Sequence, residues 1–254
     1  MRLNNKVALI TGAAGEIGAA TAKRFLEEGA SVMLADINAD ALSALASSLG
    51  SDKVGTVTVD VTDEASNKAM IEATLAQFGQ LDIFVANAGT ESKISAIEDY
   101  DTANFDRVMA INVRGPYLGI KHAVPALKQN GGGSIIITSS GAGVKGSAQL
   151  TAYNTSKHAV VGMMRCLALE LGPYNIRVNT INPGPIKSRM MSSISAGFQP
   201  VIGDAFDDAV TAATPLGRYG LPAEMAPLMA FLASDDASYC TGAVYMADGG
   251  NSAG

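Results

Sequence analysis

The chain has 254 residues, 48% of them hydrophobic and 17% charged, with a formal net charge of −6. That balance excludes a disordered polymer, which lacks the apolar residues to build a core. An acidic chain without a basic cluster is also a poor partner for nucleic acid, whose binding rests on phosphate neutralisation.

Short β-branched runs alternate along the chain with helically periodic stretches. The first run, VALIT at 7–11, lies in an apolar segment too short for a signal peptide or a membrane span, and it reads as a buried strand. It feeds the turn TGAAGEIG, Thr11 to Gly18. In the helix that follows, Ile17, Thr21, Phe25 and Leu26 share a face while Lys23, Arg24, Glu27 and Glu28 project away. Further strands are predicted at SVMLAD (31–36), VGTVTVD (54–60), LDIFVAN (81–87), GSIIITS (133–139), IRVNTI (176–181) and AVYM (243–246). Nearly continuous apolar strands joined by helices predict a single α/β domain, a doubly wound Rossmann-type parallel sheet of about seven strands with helices on both faces. From about Lys187 to Arg218 the alternation breaks, which predicts a small helical lid over a substrate. Cys166 and Cys240 sit in apolar surroundings without CxxC spacing. Both read as buried, reduced thiols, which fits a cytoplasmic protein. His122 and His158 have no companions at metal-ligand spacing, so no metal site is expected.

The turn after the first strand has the character of a dinucleotide site. Its glycines, Gly12, Gly15 and Gly18, let a pyrophosphate approach the backbone, and the helix behind supplies free N–H groups and a partial positive charge. Asp36 ends the second strand, where a carboxylate can accept both hydroxyls of an adenosine ribose; otherwise it is a turn residue capping the next helix. As a ribose ligand it selects NAD over NADP. A 2′-phosphate 4 Å from a carboxylate costs about 4 kcal/mol at an effective dielectric of about 20. Asp60 and Val61 follow the third strand and Asn87, Ala88 and Gly89 the fourth. Both groups lie at the sheet edge where ligands bind, or else they are ordinary strand-to-helix punctuation.

Farther along, Tyr153 and Lys157 form Y-x-x-x-K, one helical turn apart on one face. A free phenol has a pKa near 10, and a neighbouring ammonium, joined by an oxidised nicotinamide, favours the phenolate. Tyr153 can then take a proton from an alcohol or return one to a ketone while hydride moves to or from a cofactor. Ser140, thirteen residues earlier at the end of the fifth strand, can hold the substrate oxygen and the tyrosine oxygen in one geometry.

With the glycine turn, NAG at 87–89, Asn112 in INVRG, Ser140, Tyr153, Lys157 and PGPIKS at 183–188 in this order, the chain resembles the short-chain dehydrogenase/reductase family over essentially its whole length. The resemblance implies that Ser140 positions substrate, Tyr153 is the acid/base, and Lys157 lowers the tyrosine pKa and holds the nicotinamide ribose. It also implies that Asn112 anchors a water in a proton relay. Within PGPIKS, Pro183 and Gly184 belong to the cofactor site, and Ile186 and Ser188 hold the nicotinamide carboxamide. A homotetramer is implied as well. Ser139 is the other candidate serine, and the thirteen-residue spacing selects Ser140. The turn departs from the usual T-G-x-x-x-G-x-G of this branch: Glu16 stands at the sixth position, so Gly15 is expected to supply the close approach with Glu16 and Ile17 beside it. A carboxylate pointing outward is tolerated by the helix dipole, and one pointing inward would repel a pyrophosphate.

The expected lid carries Met190, Met191, Ile194, Phe198, Val201, Ile202, Phe206 and Val210, with Asp204, Asp207 and Asp208 its only charges between Arg189 and Arg218. This composition suits a neutral, fairly apolar secondary alcohol or ketone, or else simply packs the lid shut. Two other functions are compatible with the pattern. One is a 3-oxoacyl-carrier-protein reductase, which would normally use NADPH and offer basic residues to its carrier. The other is a non-catalytic NAD sensor, which predicts damage at the tyrosine or lysine.

Overall fold

In a computed structural model, residues 1–253 are described, with nothing said of the side chains of Pro200, Val201, Ile202 and Asp204. The last three of these, expected in the lid, therefore lie outside the described side chains. Seven strands, β1 (Val7–Thr11), β2 (Ser31–Asp36), β3 (Val54–Thr58), β4 (Ile83–Ala86), β5 (Gly133–Thr138), β6 (Ile176–Pro183) and β7 (Val244–Ala247), form one sheet in the order β3-β2-β1-β4-β5-β6-β7. Every pairing is parallel. The order reverses between β1 and β4, so both strand ends splay open there and leave a crevice.

The continuous apolar runs follow from this architecture. Leu9, Met33, Phe84, Ile135 and Val178 belong to one core, against helices α3 (Glu64–Phe78), α5 (Gly115–Gln129) and α6 (Thr151–Leu171). Ala8, Ile10, Val32, Ile83 and Ile136, their neighbours in sequence, belong to the other, against α1 (Glu16–Glu27), α2 (Ala39–Leu49) and α9 (Pro222–Ala233). A strand covered on both faces must be apolar at every position. α4 (Thr102–Met109) joins α5 through a π-helical turn at Ala110–Arg114.

Strand ends differ from the sequence reading by a residue or two. β3 stops at Thr58 because the Asp60 N–H turns to the Ser66 hydroxyl, while β6 runs on to Pro183, which pairs with Ala247. β5 stops at Thr138, so Ser140 stands two residues beyond the strand rather than ending it. The expectation for the cysteines is corrected: Cys166 is exposed and Cys240 half-buried. α6 buries Val160, Val161, Met164, Ala168 and Leu171, and that stripe leaves residue 166 on the outer face despite its apolar neighbours.

Residues 187–218 do form a helical excursion, α7 (Arg189–Ile202) and α8 (Phe206–Ala212), standing over the carboxyl ends of the strands. Among the described residues, no helix is long and apolar enough to cross a membrane.

Candidate active site

A cavity of about 1060 Å³ opens at the strand reversal, between the β1–α1 turn, the β4 and β5 ends, the start of α6 and the α7–α8 excursion. That volume exceeds the usual range for a drug-sized ligand and accommodates a dinucleotide together with a second small molecule.

The turn at its floor is built by contacts that only glycine allows. Gly12 has φ +63°, and a Cβ there would come within 2.7 Å of Ala88 Cα; at Gly18 it would stand 2.3 Å from the Gly12 carbonyl. Gly15, which caps α1, lines the cavity, and a Cβ on it would meet only the Gly12 oxygen, at 3.4 Å. The backbone is thus bare where a pyrophosphate would lie, ahead of a helix N-terminus, and the fit to a dinucleotide is good. Asp36 and Ile17 also line the cavity. The Asp36 carboxylate accepts from the Ala14 and Asn38 N–H groups, both at 3.1 Å, which ties β2 to the turn. Asn87 has a stitching role. Its amide donates to the Thr11 and Gly12 carbonyls and accepts from the Thr138 hydroxyl, so it holds the ends of β1, β4 and β5 together beside Ala88 and Gly89.

Asp60 and Val61 do not join this group. They lie outside the cavity lining; the Asp60 carboxylate accepts from the Thr62 N–H and hydroxyl, and Val61 packs against Gly115. Pro183, Gly184, Ile186 and Ser188 all line the cavity, and the Ser188 hydroxyl caps α7 by accepting from the Met191 N–H. Gly184 packs so tightly on Asp248 that a Cβ would fall 2.6 Å from its Cα.

At the inner end, Ser140, Tyr153 and Lys157 come together. The Ser140 Oγ accepts from the Ala142 N–H at 3.1 Å, which leaves its hydroxyl proton free to be donated towards the neighbouring Tyr153 oxygen. Ser139 has no such freedom: its hydroxyl donates to the Lys157 carbonyl and is buried. Lys157 Nζ donates to the Thr138 carbonyl at 2.9 Å and lies 5.6 Å from the centre of the Tyr153 ring. Burial brings its pKa down to about 8. Burial pushes the Tyr153 phenol up; the Ser140 hydrogen bond opposes this and the Glu91 carboxylate adds to it. Tyr153 is therefore a stored acid in the protein alone, and ionising it takes further positive charge close by.

Asn112 sits in the π-helical turn, buried, accepting from the Thr90 N–H and donating to the Thr90 carbonyl and the Ser156 hydroxyl. A Cβ at Gly89 would lie 3.4 Å from Asn112 Oδ1 and 3.5 Å from Lys157 Nζ, so that bare glycine marks where the two polar groups converge. π-turns inside helices recur at functional sites.

Sequence reasoning did not find Glu91, Lys145, Gln149 or Asn251. Glu91 receives both guanidinium nitrogens of Arg189, at 3.0 and 3.3 Å, and the other three line the cavity. Nothing local in the sequence marks them: Glu91 and Asn251 come in from loops far along the chain, and Lys145 and Gln149 lie in the β5–α6 loop without a pattern of their own. Glu16 is exposed at the rim of the cavity, and its carboxylate crosses to the start of α7 and accepts from the Arg189 N–H at 2.7 Å.

A nucleotide crevice at the strand reversal with a serine–tyrosine–lysine group at its inner end defines an oxidoreductase of the doubly wound class. A family profile described as enoyl-(acyl carrier protein) reductase matches residues 12–252. Levodione reductase of Leifsonia aquatica is 37% identical, covering 99% of this chain and 96% of its own, and a crystal structure of levodione reductase superposes with a TM-score of 0.96 at 37% identity over 99% of both chains. Trans-4-hydroxycyclohexanecarboxylate dehydrogenase of Sinomonas cyclohexanicum is 40% identical over 100% and 95% of the two chains, and cyclohexanol dehydrogenase of Acinetobacter sp. (strain SE19) is 34% identical over 98% and 95%. Among solved structures, NAD+-bound xylitol dehydrogenase (TM-score 0.93, 34% identity, 98% and 100% covered) and 3-ketoacyl-(acyl-carrier-protein) reductase from Brucella melitensis complexed with NADH (TM-score 0.90, 34% identity, 98% and 99% covered) are also similar. The chain belongs to the short-chain dehydrogenase/reductase family and is an enzyme of secondary alcohols and their ketones.

Proposed function

We propose that the enzyme interconverts a neutral, fairly apolar secondary alcohol and its ketone with NAD(H), Tyr153 moving the proton. The observation that carries the substrate class is the pairing of the two cations flanking α7 and α8. Arg189 is spent on Glu91 and Arg218 on Glu224, so neither is offered to an anion. The wall they flank is apolar, with Phe198 and Phe206 stacked 5.2 Å apart.

In this reading Asp36 faces the adenosine ribose, and its charge selects NAD over NADP. The bare turn at Gly12, Gly15 and Gly18 takes the pyrophosphate, and Pro183, Gly184, Ile186 and Ser188 border the nicotinamide end. NAD, when bound, supplies hydride acceptance and a positive ring. Ser140 aligns the substrate oxygen on the Tyr153 hydroxyl. Tyr153 takes the alcohol proton in oxidation and returns one in reduction, and the Lys157 ammonium stabilises the phenolate electrostatically. Asn112 and the Thr90 backbone continue the polar path behind Lys157. α7 and α8 act as the substrate lid of a single domain. Assembly into a homotetramer and a cytoplasmic location belong to the same reading and rest on the family resemblance.

A carrier-protein 3-oxoacyl reductase is the second reading, and its expected NADPH preference does not discriminate, since the Brucella melitensis reductase was crystallised with NADH. Absorbance at 340 nm decides between them, using cyclohexanone and an acetoacetyl-carrier protein with NADH or NADPH, and cyclohexanol with NAD+ or NADP+. Turnover of the ring ketone with NADH, abolished in Tyr153→Phe, supports the proposal; turnover of the carrier substrate alone overturns it.

A further inference from the structure

Gln149 lies four residues before Tyr153, in the turn that leads into α6, and lines the cavity. Two features set it apart. Its φ is +64°, in the left-handed region that a residue with a Cβ rarely adopts. Its amide oxygen is shut away from solvent and meets no donor, and its amide nitrogen makes no hydrogen bond among the described residues. The backbone is pinned where it is, since the Gln149 carbonyl accepts from the Ser95 N–H at 3.3 Å. A strained residue whose amide is idle beside the reacting centre has no structural reason for its side chain. Met191, Ile194, Phe198, Phe206 and Val210, which line the same cavity, carry no side-chain partner for an oxygen on a bound molecule. The nearby cation on this loop, Lys145, is committed to the carbonyl and side chain of Asn251.

We propose that the Gln149 amide is a specificity-determining group that hydrogen-bonds a second oxygen on the substrate, remote from the carbon that Tyr153 serves. Turning the amide about its last torsion presents either the NH2 to a carbonyl or the oxygen to a hydroxyl, so both a diketone and a hydroxyketone suit it. The substrate class becomes a cyclic or otherwise compact apolar ketone bearing one further neutral oxygen. This deepens the NAD(H) ketone reductase reading and rests on it.

The test compares kcat/KM with NADH for cyclohexanone, 1,4-cyclohexanedione, 4-hydroxycyclohexanone and 4-oxocyclohexanecarboxylate. The wild type is expected to favour the dione and hydroxyketone over cyclohexanone by about tenfold, beyond the factor of two from a duplicate carbonyl. In Gln149→Gly, where the positive φ is relaxed, and in Gln149→Met, of similar length, that ratio is expected to fall about tenfold. A thermal melt no lower than wild type for the glycine variant shows that folding is intact. Wild-type turnover of cyclohexanone without the preference, or a preference that survives both substitutions, overturns the inference and leaves the reductase reading standing. A preference for the carboxylate that is lost in Lys145→Met also overturns it, in favour of the cation. No turnover of any ketone overturns both readings together.

Discussion

The Glu16 carboxylate, at the first turn of α1, accepts a hydrogen bond from the backbone N–H of Arg189, the first residue of α7, at 2.7 Å. The side chain at the odd position of the glycine turn thus spans the crevice and lies at the positive ends of two helices at once, a favourable place for a carboxylate. Arg189 completes the clasp through Glu91, beyond the end of β4. Removing the carboxylate in Glu16→Ala should loosen the entry to α7 by about 1 kcal/mol, the scale of a lost helix cap. The expected outcome is a several-fold rise in ketone KM with faster proteolytic cutting between residues 187 and 203. Unchanged cutting would show that the clasp does not hold the lid.

Tyr153→Phe removes the only hydroxyl proposed to trade protons with substrate. Its kcat is expected to fall 10²- to 10⁴-fold, the usual worth of a positioned acid/base, while NADH affinity measured by fluorescence titration changes little. A loss confined to NADH binding would reassign the residue to cofactor positioning.

Lys157 has its pKa brought down to about 8 by burial, so its ammonium form prevails below that pH and is lost above it. Reductive kcat/KM, which reports the free enzyme, should be level up to about pH 8 and then decline. In Lys157→Arg, slower but permanently charged, that limb should vanish. A limb that persists in the arginine variant would assign it to another group.

Asp36→Asn keeps an acceptor for the Ala14 N–H and removes the charge. The ratio of kcat/KM for NADPH over NADH should rise at least tenfold, within the limit of about 4 kcal/mol for an unscreened pair. An unchanged ratio would show that the carboxylate does not face the ribose.

Acid stability turns on Glu28, whose carboxyl is held at about 2, against an ordinary 4.5. The Arg2 side-chain hydrogen bond is the main cause, followed by the Arg2 backbone N–H, with Arg24 adding to both. The folded state binds this proton less tightly than the unfolded chain, so the stabilisation is present in full above about pH 4.5 and is lost as pH falls towards 2. Glu28→Gln should lower stability at pH 7 by about 1 kcal/mol, since the arginine partners are partly exposed. Urea melts at pH 7 and pH 3 should show the gap closing at the lower pH.

The sequence by itself determined the sheet and the helical face that Tyr153 and Lys157 share. Runs such as VALIT and GSIIIT can only be strands covered on both sides, and the spacing of Tyr153 and Lys157 fixes one helical face whatever surrounds it. Glycines 12 and 18 were legible as a turn that lets a pyrophosphate approach the backbone; the fold adds that a Cβ there would strike Ala88 and the Gly12 carbonyl. What only the tertiary structure decided are the relations between segments far apart in the chain. Glu16 meets Arg189 across 173 positions, Lys145 meets Asn251 across 106, and Asp60 looks to Thr62 instead of the cavity. The serine choice belongs to both: spacing singles out Ser140, and the fold shows why, by spending the Ser139 hydroxyl on the Lys157 carbonyl. Local patterns record backbone geometry and burial. A long-range polar contact leaves no periodic trace, because either partner alone is an ordinary surface residue until the sheet brings the loops together.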